Sequence, residues 1–204
     1  MKRRHLLVAG LGALATPSIV RAEAKYPDRP IRLVIPFAPA GRPDIIGRKA
    51  AEKLTALTSQ TWVVDNKAGA AGSIGSVEVK NAKPDGYTLL FATSSTHAIN
   101  PTAYAKPLYD AVKDFTPVSS ICVNPAVLAA RTDMPDTVMG LVDFMKKNPG
   151  KYSYGSSGTG SIFHLTGEYF KRSVGGMDVE HIPYKGSAPA LNDMMSGQLA
   201  WMFD

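Results

Sequence analysis

The sequence predicts an α/β fold made of two units, each a parallel sheet with helices between its strands. Two observations support this prediction. Short β-branched segments alternate with longer segments of helical spacing, and the alternation is interrupted by an apolar stretch at residues 118–131 before it begins again. Alternating strands and helices are typical of parallel sheets joined by crossover helices. We therefore expect a first domain over residues 23–122 and a second over residues 123–204.

The first unit is predicted from five segments. Residues 31–36 are rich in β-branched side chains and end at a proline, as a buried strand does. Residues 43–57 place apolar side chains at helical intervals and are expected to form a helix. Further strands are expected at residues 61–65 and 88–92, with a short helix at residues 73–81 between them.

The second unit repeats the alternation after residue 131. Helices are expected at residues 139–147, 162–173 and 188–196, and strands at residues 152–154, 179–183 and 199–203. The single cysteine, Cys122, excludes an intramolecular disulfide and lies in the apolar stretch. We expect it to be buried there as a small apolar side chain.

The N-terminal residues 1–22 have the pattern of a secretory signal peptide. Lys2, Arg3 and Arg4 precede a short apolar run, and small residues follow it. The run is too short to cross a bilayer as a helix. We therefore expect export to the periplasm, by the Sec or the twin-arginine route, and cleavage near Ala22 or Ala24.

The net charge argues against a nucleic-acid partner. The chain carries 23 Lys and Arg against 17 Asp and Glu, but residues 1–22 hold four of the positive charges and no acid. The rest of the chain has 19 positive and 17 negative side chains, a net charge of +2. Nucleic-acid binding requires a concentrated basic face, which this balance does not indicate.

Loops rich in glycine and small polar residues follow four of the predicted strands. Ligands of open parallel sheets bind where strands end and helices begin. Free N–H groups at helix N-termini attract anions, glycine allows close backbone approach, and serine or threonine adds a hydroxyl donor. The pattern predicts a site for a small solute that bears a carboxylate, formed by residues 36–44, 66–75, 93–97 and 154–161.

Catalytic motifs fit the sequence poorly. The nucleophile elbow Gly-x-Ser-x-Gly would require glycine where Thr159 stands. We therefore predict that the chain is not an enzyme. A secreted hydrolase that uses Ser156 or Ser157 as its nucleophile remains the alternative.

The histidines that follow the predicted signal peptide lack the spacing of metal ligands. His97, His164 and His181 are each expected to serve as hydrogen-bonding residues rather than as ligands. His97 and His164 are the better candidates for contact with a solute, because each lies in or just after a polar loop. No metal and no cofactor is expected.

Several motifs resemble a known family. They are Tyr26-Pro27, Pro30-Ile31-Arg32, Asn66 to Gly75, Lys83 to Leu90, Ile99-Asn100-Pro101, Tyr154 to Gly158, His164-Leu165, Pro183 to Gly186, Gly197-Gln198 and Phe203-Asp204. At these residues the sequence is similar to the Bug, or TctC, family of extracytoplasmic solute receptors of tripartite tricarboxylate transporters. The resemblance extends over nearly the whole chain after the signal peptide.

The resemblance implies a monomeric, two-domain periplasmic binding protein of type II, the Venus-flytrap architecture. Such a receptor closes on a small organic anion and delivers it to membrane subunits of the transporter. A solute sensor that docks on a membrane signalling protein is the alternative. By matching positions, the expected ligand-binding residues are Phe37, Ala40, Gly41, Arg42, Asp44, Gly69, Ala70, Gly72, Ser94, Ser95, His97, Ser156, Ser157, Thr159, His164, Tyr184 and Asp204.

The sequence departs from the family pattern in two places. In the first loop, Arg42 and Pro43 stand where the family usually has small residues, so Arg42 either supplies a bidentate donor for a carboxylate or obstructs the pocket. Family members also continue well beyond an aspartate like Asp204, which in them could meet the amino group of a solute. We therefore expect a C-terminally truncated chain that binds solute weakly or not at all on its own and has poor stability in solution.

Overall fold

The structure is a computed structural model and describes residues 26–204, so the predicted signal peptide and its cleavage sites lie outside the described residues. The first sheet has three parallel strands in the order β2-β1-β3. They are β1 (Ile31–Ile35), β2 (Trp62–Asn66) and β3 (Thr88–Leu90). Helix α1 (Arg42–Thr58) follows β1, and α2 (Ser73–Lys80) follows β2.

The chain after β3 is helical where the sequence analysis expected a loop. A π-helical turn at Ser95–Ile99 runs directly into the short helix α3 (Asn100–Ala103). The side chain of Asn100 holds this segment against the glycine loop after β2, because its Nδ2 donates to the carbonyl oxygen of Ala71 at 3.1 Å. This buried hydrogen bond therefore holds the polar segment after β3 beside the glycine loop after β2.

The second sheet has four strands in the order β4-β7-β5-β6. They are β4 (Leu128–Ala130), β5 (Ser153–Ser156), β6 (Glu180–Pro183) and β7 (Trp201–Phe203). Its helices are α4 (Val138–Lys147), α5 (Ile162–Ser173) and α6 (Ser187–Met195). All predicted strands and helices of both units are present, with ends displaced by at most two residues.

The strand β4 adds an antiparallel pair to the second sheet and was not among the predicted strands. It pairs with β7 in the antiparallel sense, with Leu128 opposite Phe203. Val127 extends the pairing through its N–H, which donates to the carbonyl oxygen of Asp204 at 2.7 Å. With only three residues, β4 shows too little alternation of polar and apolar side chains for a sequence pattern to identify it.

Each sheet packs its own apolar core. In the first, Leu33, Ile35 and Phe91 are buried beneath Ala51 of α1. In the second, the rings of Tyr154 and Trp201 stack 4.5 Å apart between α4 and α5. We refer to residues 31–104 as the first unit and residues 128–204 as the second unit; the domain boundary at residue 122 stays a prediction.

The connecting residues 118–127 are exposed, contrary to expectation. Cys122 is exposed, and Val118 and Val123 are 80% and 92% exposed. An apolar run predicts burial only if another element covers it, and among residues 26–204 no element packs on this one. Within the same described range, no helix is long and apolar enough to cross a membrane.

Candidate functional site

The polar loops of the two units meet face to face. The backbone N–H of Ala38, after β1, donates to the carbonyl oxygen of Lys185 at 3.1 Å. The hydroxyl of Ser95 accepts from the N–H of Ile162, the first residue of α5, at 3.0 Å. Loops that follow the strands of one unit therefore contact loops of the other unit.

Two glycines allow this close approach. A methyl group added to Gly186 would lie 3.0 Å from the backbone nitrogen of Ala38, and one added to Gly158 would lie 3.4 Å from that of Ala71. The first distance is tighter than an ordinary contact between a side chain and a backbone, and the second is at the short end of ordinary van der Waals contact. The loops of one unit therefore touch the backbone of the other.

Two helices begin at this junction, one from each unit. Helix α1 starts after Gly41 and α6 after Gly186, and neither has a side chain that caps its N-terminus. A methyl group on Gly41 would lie 3.8 Å from the backbone nitrogens of Ser187 and Ala188. The positive ends of the two helices therefore lie side by side across the junction.

The buried carboxylate of Asp44 stabilises the loop after β1 through hydrogen bonds. Its Oδ2 accepts from the N–H of Ala40 at 2.9 Å and from Nε of Arg48 at 3.0 Å. Its Oδ1 accepts from Nδ2 of Asn66 at 3.0 Å, and that amide also donates to the carbonyl oxygen of Phe37. Burial alone would raise the pKa of Asp44, but the bonds from Arg48, Ala40 and Asn66 outweigh it and lower the pKa.

The second loop is held in left-handed backbone conformations. Gly69 and Gly72 have φ values of 135° and 90°, and Ala70 has a φ of 47°. A methyl group on Gly72 would lie 2.5 Å from the side chain of Thr96 and 3.2 Å from the ring of Phe37. Gly72 is therefore the point at which the loops after β1, β2 and β3 come into contact.

The predicted residues of the loop after β3, Ser94, Ser95 and His97, lie in three different environments. Ser95 is buried and faces the second unit, whereas Ser94 is exposed. The imidazole of His97 packs 4.7 Å from Phe115 and bonds to the hydroxyl of Thr96. It lines a cavity of about 690 Å³ beside residues 107–114, and burial lowers its pKa.

The buried hydroxyl of Ser156 hydrogen-bonds to the backbone of the loop that follows β5. Its Oγ accepts from the N–H of Gly158 at 3.1 Å and lies 2.7 Å from Nε2 of His181. Ser157, the next residue, is also buried, and Thr159 is exposed with its carbonyl oxygen accepting from Tyr104 at 3.3 Å. The hydroxyl of Ser156 therefore stabilises the loop conformation.

Two stacked histidines lie beneath this loop. The rings of His164 and His181 are 4.1 Å apart, and Nδ1 of His164 accepts from the N–H of Gly160 at 3.1 Å. Burial lowers the pKa of His164. Burial, followed by the neighbouring His164, lowers the pKa of His181 to about 4. His181 was not among the predicted site residues, because its partner Ser156 is 25 residues away in the sequence.

The pair of Ser156 and His181 lacks the features of a catalytic dyad. The hydroxyl is fully buried and already bonded to the loop backbone. The nearby carboxylate of Glu168 accepts from Tyr154 at 2.6 Å and from Lys171 at 2.8 Å. A nucleophile needs access to substrate and a base oriented by a third group. The hydroxyl of Ser156 is fully buried, and among residues 26–204 no side chain hydrogen-bonds the other ring nitrogen of His181.

The remaining predicted residues lie at the edge of the junction. The hydroxyl of Tyr184 donates to Oδ2 of Asp193 at 2.6 Å; burial and then this bond raise its pKa to about 12. Arg42 reaches from the first unit to the second, where its Nη2 lies 3.6 Å from Oδ1 of Asp204. Among the residues that the structure describes, no three His, Cys, Asp or Glu side chains group as metal ligands would.

The comparisons with known proteins agree with this geometry. Residues 46–203 match the model of the TctC family, the tripartite tricarboxylate transporter family receptor. A UPF0065 protein of Bordetella pertussis is 36% identical over 185 residues, which are 90% of this chain and 56% of that protein.

Two solved structures share the fold. A periplasmic transporter is 46% identical with a TM-score of 0.85, and an R. palustris protein with adipate is 36% identical with a TM-score of 0.84. Each match covers 88% of this chain and 60% of the other. The chain thus spans about 60% of the length of these structures. Because the family model covers more than half of the chain, the chain belongs to the TctC family of tripartite tricarboxylate transporter receptors.

Proposed function

We propose that the chain forms most of the binding site of a periplasmic receptor, which captures a small carboxylate-bearing solute between its two units. The receptor then delivers the solute to the membrane subunits of a tripartite tricarboxylate transporter. The main support is the pairing of the N-termini of α1 and α6, which begin at glycines without side-chain caps and lie side by side across the junction. Both helix dipoles favour a negative charge at that point.

The hydrogen bonds between the units support a site that opens and closes. Among residues 26–204, three hydrogen bonds join the loops of the two units, and their donors are Ala38, Ile162 and Tyr104. A net hydrogen bond contributes only about 0.5–1.5 kcal/mol, so these contacts can be exchanged for contacts with a solute. The similar R. palustris structure contains adipate, a dicarboxylate, which fits a solute held by helix ends and hydroxyl groups.

The protein is proposed to act as a monomer without catalysis. The buried state of the Ser156 hydroxyl and the bonds that engage Glu168 favour a binding role over the hydrolase alternative. A sensor that docks on a membrane signalling protein would use the same binding site. Co-purification of the protein with transporter membrane subunits or with a signalling protein would separate these two roles.

The binding proposal is tested by thermal unfolding of the purified protein with a panel of di- and tricarboxylates, aromatic acids and amino acids. A ligand at 100 times its Kd raises the free energy of unfolding by about 2.7 kcal/mol, which shifts Tm by several degrees. Hydrolysis of p-nitrophenyl esters by the protein but not by Ser156→Ala would favour the hydrolase. If no carboxylate raises Tm, the proposed function is wrong.

A further inference from the structure

One side chain of the first unit crosses the junction and carries a charge into the second. The guanidinium of Arg42, the first residue of α1, lies with Nη2 3.6 Å from Oδ1 of Asp204. Its Nη1 is 3.5 Å from the carbonyl oxygen of Pro125, and its Cζ lies 4.9 Å from the centre of the Phe163 ring. Arg42 therefore contacts the connecting residue Pro125 as well as Phe163 and Asp204 of the second unit.

The pair of Arg42 and Asp204 is matched in charge but not in hydrogen bonds. Nη2 and Oδ1 are both buried, and neither has a hydrogen-bond partner. At 3.6 Å the two atoms attract each other as ions, but the distance is too long for a good hydrogen bond. The donors on Nη2 thus remain available to an acceptor that enters between the units, and carboxylate is the acceptor that a guanidinium binds best.

The ring of Phe163 holds the guanidinium over the aspartate. A guanidinium above an aromatic face gains a cation–π attraction, which limits the positions that the long side chain adopts. Without Arg42, Asp204 would be a partly buried carboxylate at the junction and would require a positive partner. A solute ammonium group would be such a partner. In this chain the guanidinium already occupies that position.

We infer that Arg42 determines the solute specificity of this site: it neutralises Asp204, so that the site binds carboxylates without an ammonium group and rejects their amino-acid counterparts. The inference rests on the proposed function, since it assigns a substrate class to the same site. An ammonium group brought to Asp204 would come close to the guanidinium, and like charges at such distances repel.

The test compares solutes that differ in a single ammonium group. Binding to the purified protein is measured by isothermal titration calorimetry for succinate and aspartate, glutarate and glutamate, and 3-phenylpropionate and phenylalanine. We expect the protein to bind the acid of at least one pair at least tenfold more tightly than its amino counterpart. Equal binding within each pair, or tighter binding of the amino acid, would overturn the inference while the proposed function stands.

Substitution then attributes the preference to Arg42. In Arg42→Gln, which keeps a shorter polar side chain without the charge, the ratio of the two affinities should shift toward the amino acid by tenfold or more. Arg29→Gln is the matched control, because it removes a positive charge from an exposed ion pair with Asp85. An unchanged ratio in Arg42→Gln would show that Arg42 does not set the preference.

A second variant keeps the inference testable if Arg42→Gln does not unfold cooperatively by circular dichroism. Asp204→Asn leaves the guanidinium without a counter-charge, so it should bind the acid several-fold more tightly and still reject the amino acid. Weaker binding of the acid by Asp204→Asn would contradict the inference. If no solute of the three pairs and no other carboxylate binds to the parent protein, the proposed function itself fails and the inference fails with it.

Discussion

Protonation of His181 is expected to destabilise the fold in mild acid. Its ring stacks on His164 at 4.1 Å and lies 4.9 Å from the ring of Tyr154, while its Nε2 bonds to Ser156. Burial and then the neighbouring His164 lower its pKa to about 4. Glu168 favours the charged form and Lys171 opposes it, and the net effect keeps the imidazole neutral in the folded protein.

The direction of the pH dependence follows from the two states of the chain. An unfolded histidine titrates near pH 6.5, so between about pH 6.5 and pH 4 the unfolded chain binds a proton that the folded chain does not. The stability from the neutral ring is therefore fully present above pH 6.5 and is lost as the pH falls toward 4. From pH 7 to pH 5 the loss is about 2 kcal/mol in the free energy of unfolding.

The loss is measured by urea unfolding at pH 7, 6 and 5 on the parent protein and on His181→Gln. Glutamine places an amide nitrogen near the position of Nε2 but does not titrate. The variant should lose less free energy between pH 7 and pH 5 than the parent, by up to about 2 kcal/mol. His97→Gln, in the first unit, is the control and should keep the His181-dependent loss. An equal loss in His181→Gln and in the parent would refute this explanation.

Two further predictions use matched pairs of variants and the same unfolding measurement. Gly72→Ala and Gly176→Ala both place alanine at a φ near 90°, but only at residue 72 would the added methyl group meet side chains of neighbouring loops, at 2.5 Å and 3.2 Å. Gly72→Ala should therefore cost about 1–3 kcal/mol more than Gly176→Ala, and equal costs would contradict the packing described here. Ser95→Ala should cost about 1 kcal/mol, because the N–H of Ile162 loses its acceptor, whereas Ser94→Ala at an exposed position should change stability by less than about 0.5 kcal/mol. A reversed order would exclude Ser95 as a link between the units.

The elements of the fold could be predicted because their signals are local. Periodic apolar spacing and β-branched runs gave every strand but β4 and every helix but α3, and the parallel order of the first sheet followed from their alternation. The antiparallel pairing of β4 escaped prediction, since its partner β7 lies more than 70 residues further on. The exposure of Cys122 was also missed, because hydropathy does not report whether another element covers a segment.

The loops of the site could be located from the sequence, but the roles of their residues could not. Glycine and serine after parallel strands indicate a shared edge, and the structure does bring those loops together. The contact between Ser156 and His181, or between Arg42 and Asp204, depends on how two distant segments pack. The sequence did single out Arg42 in part, because an arginine stands there in a loop where related proteins usually have small residues.

Polar residues in such loops either stabilise the loop or remain available to a solute, and their hydrogen bonds show which role each residue has. A loop that leaves regular structure must first provide partners for its own backbone. Asp44 and Ser156 already provide them within their own unit, and Ser95 provides one across the junction. Arg42 and Asp204 instead present buried atoms with opposite charge and no hydrogen bond. Substitutions at the first set should therefore change stability and binding together, whereas substitutions at the second pair should change which solute binds.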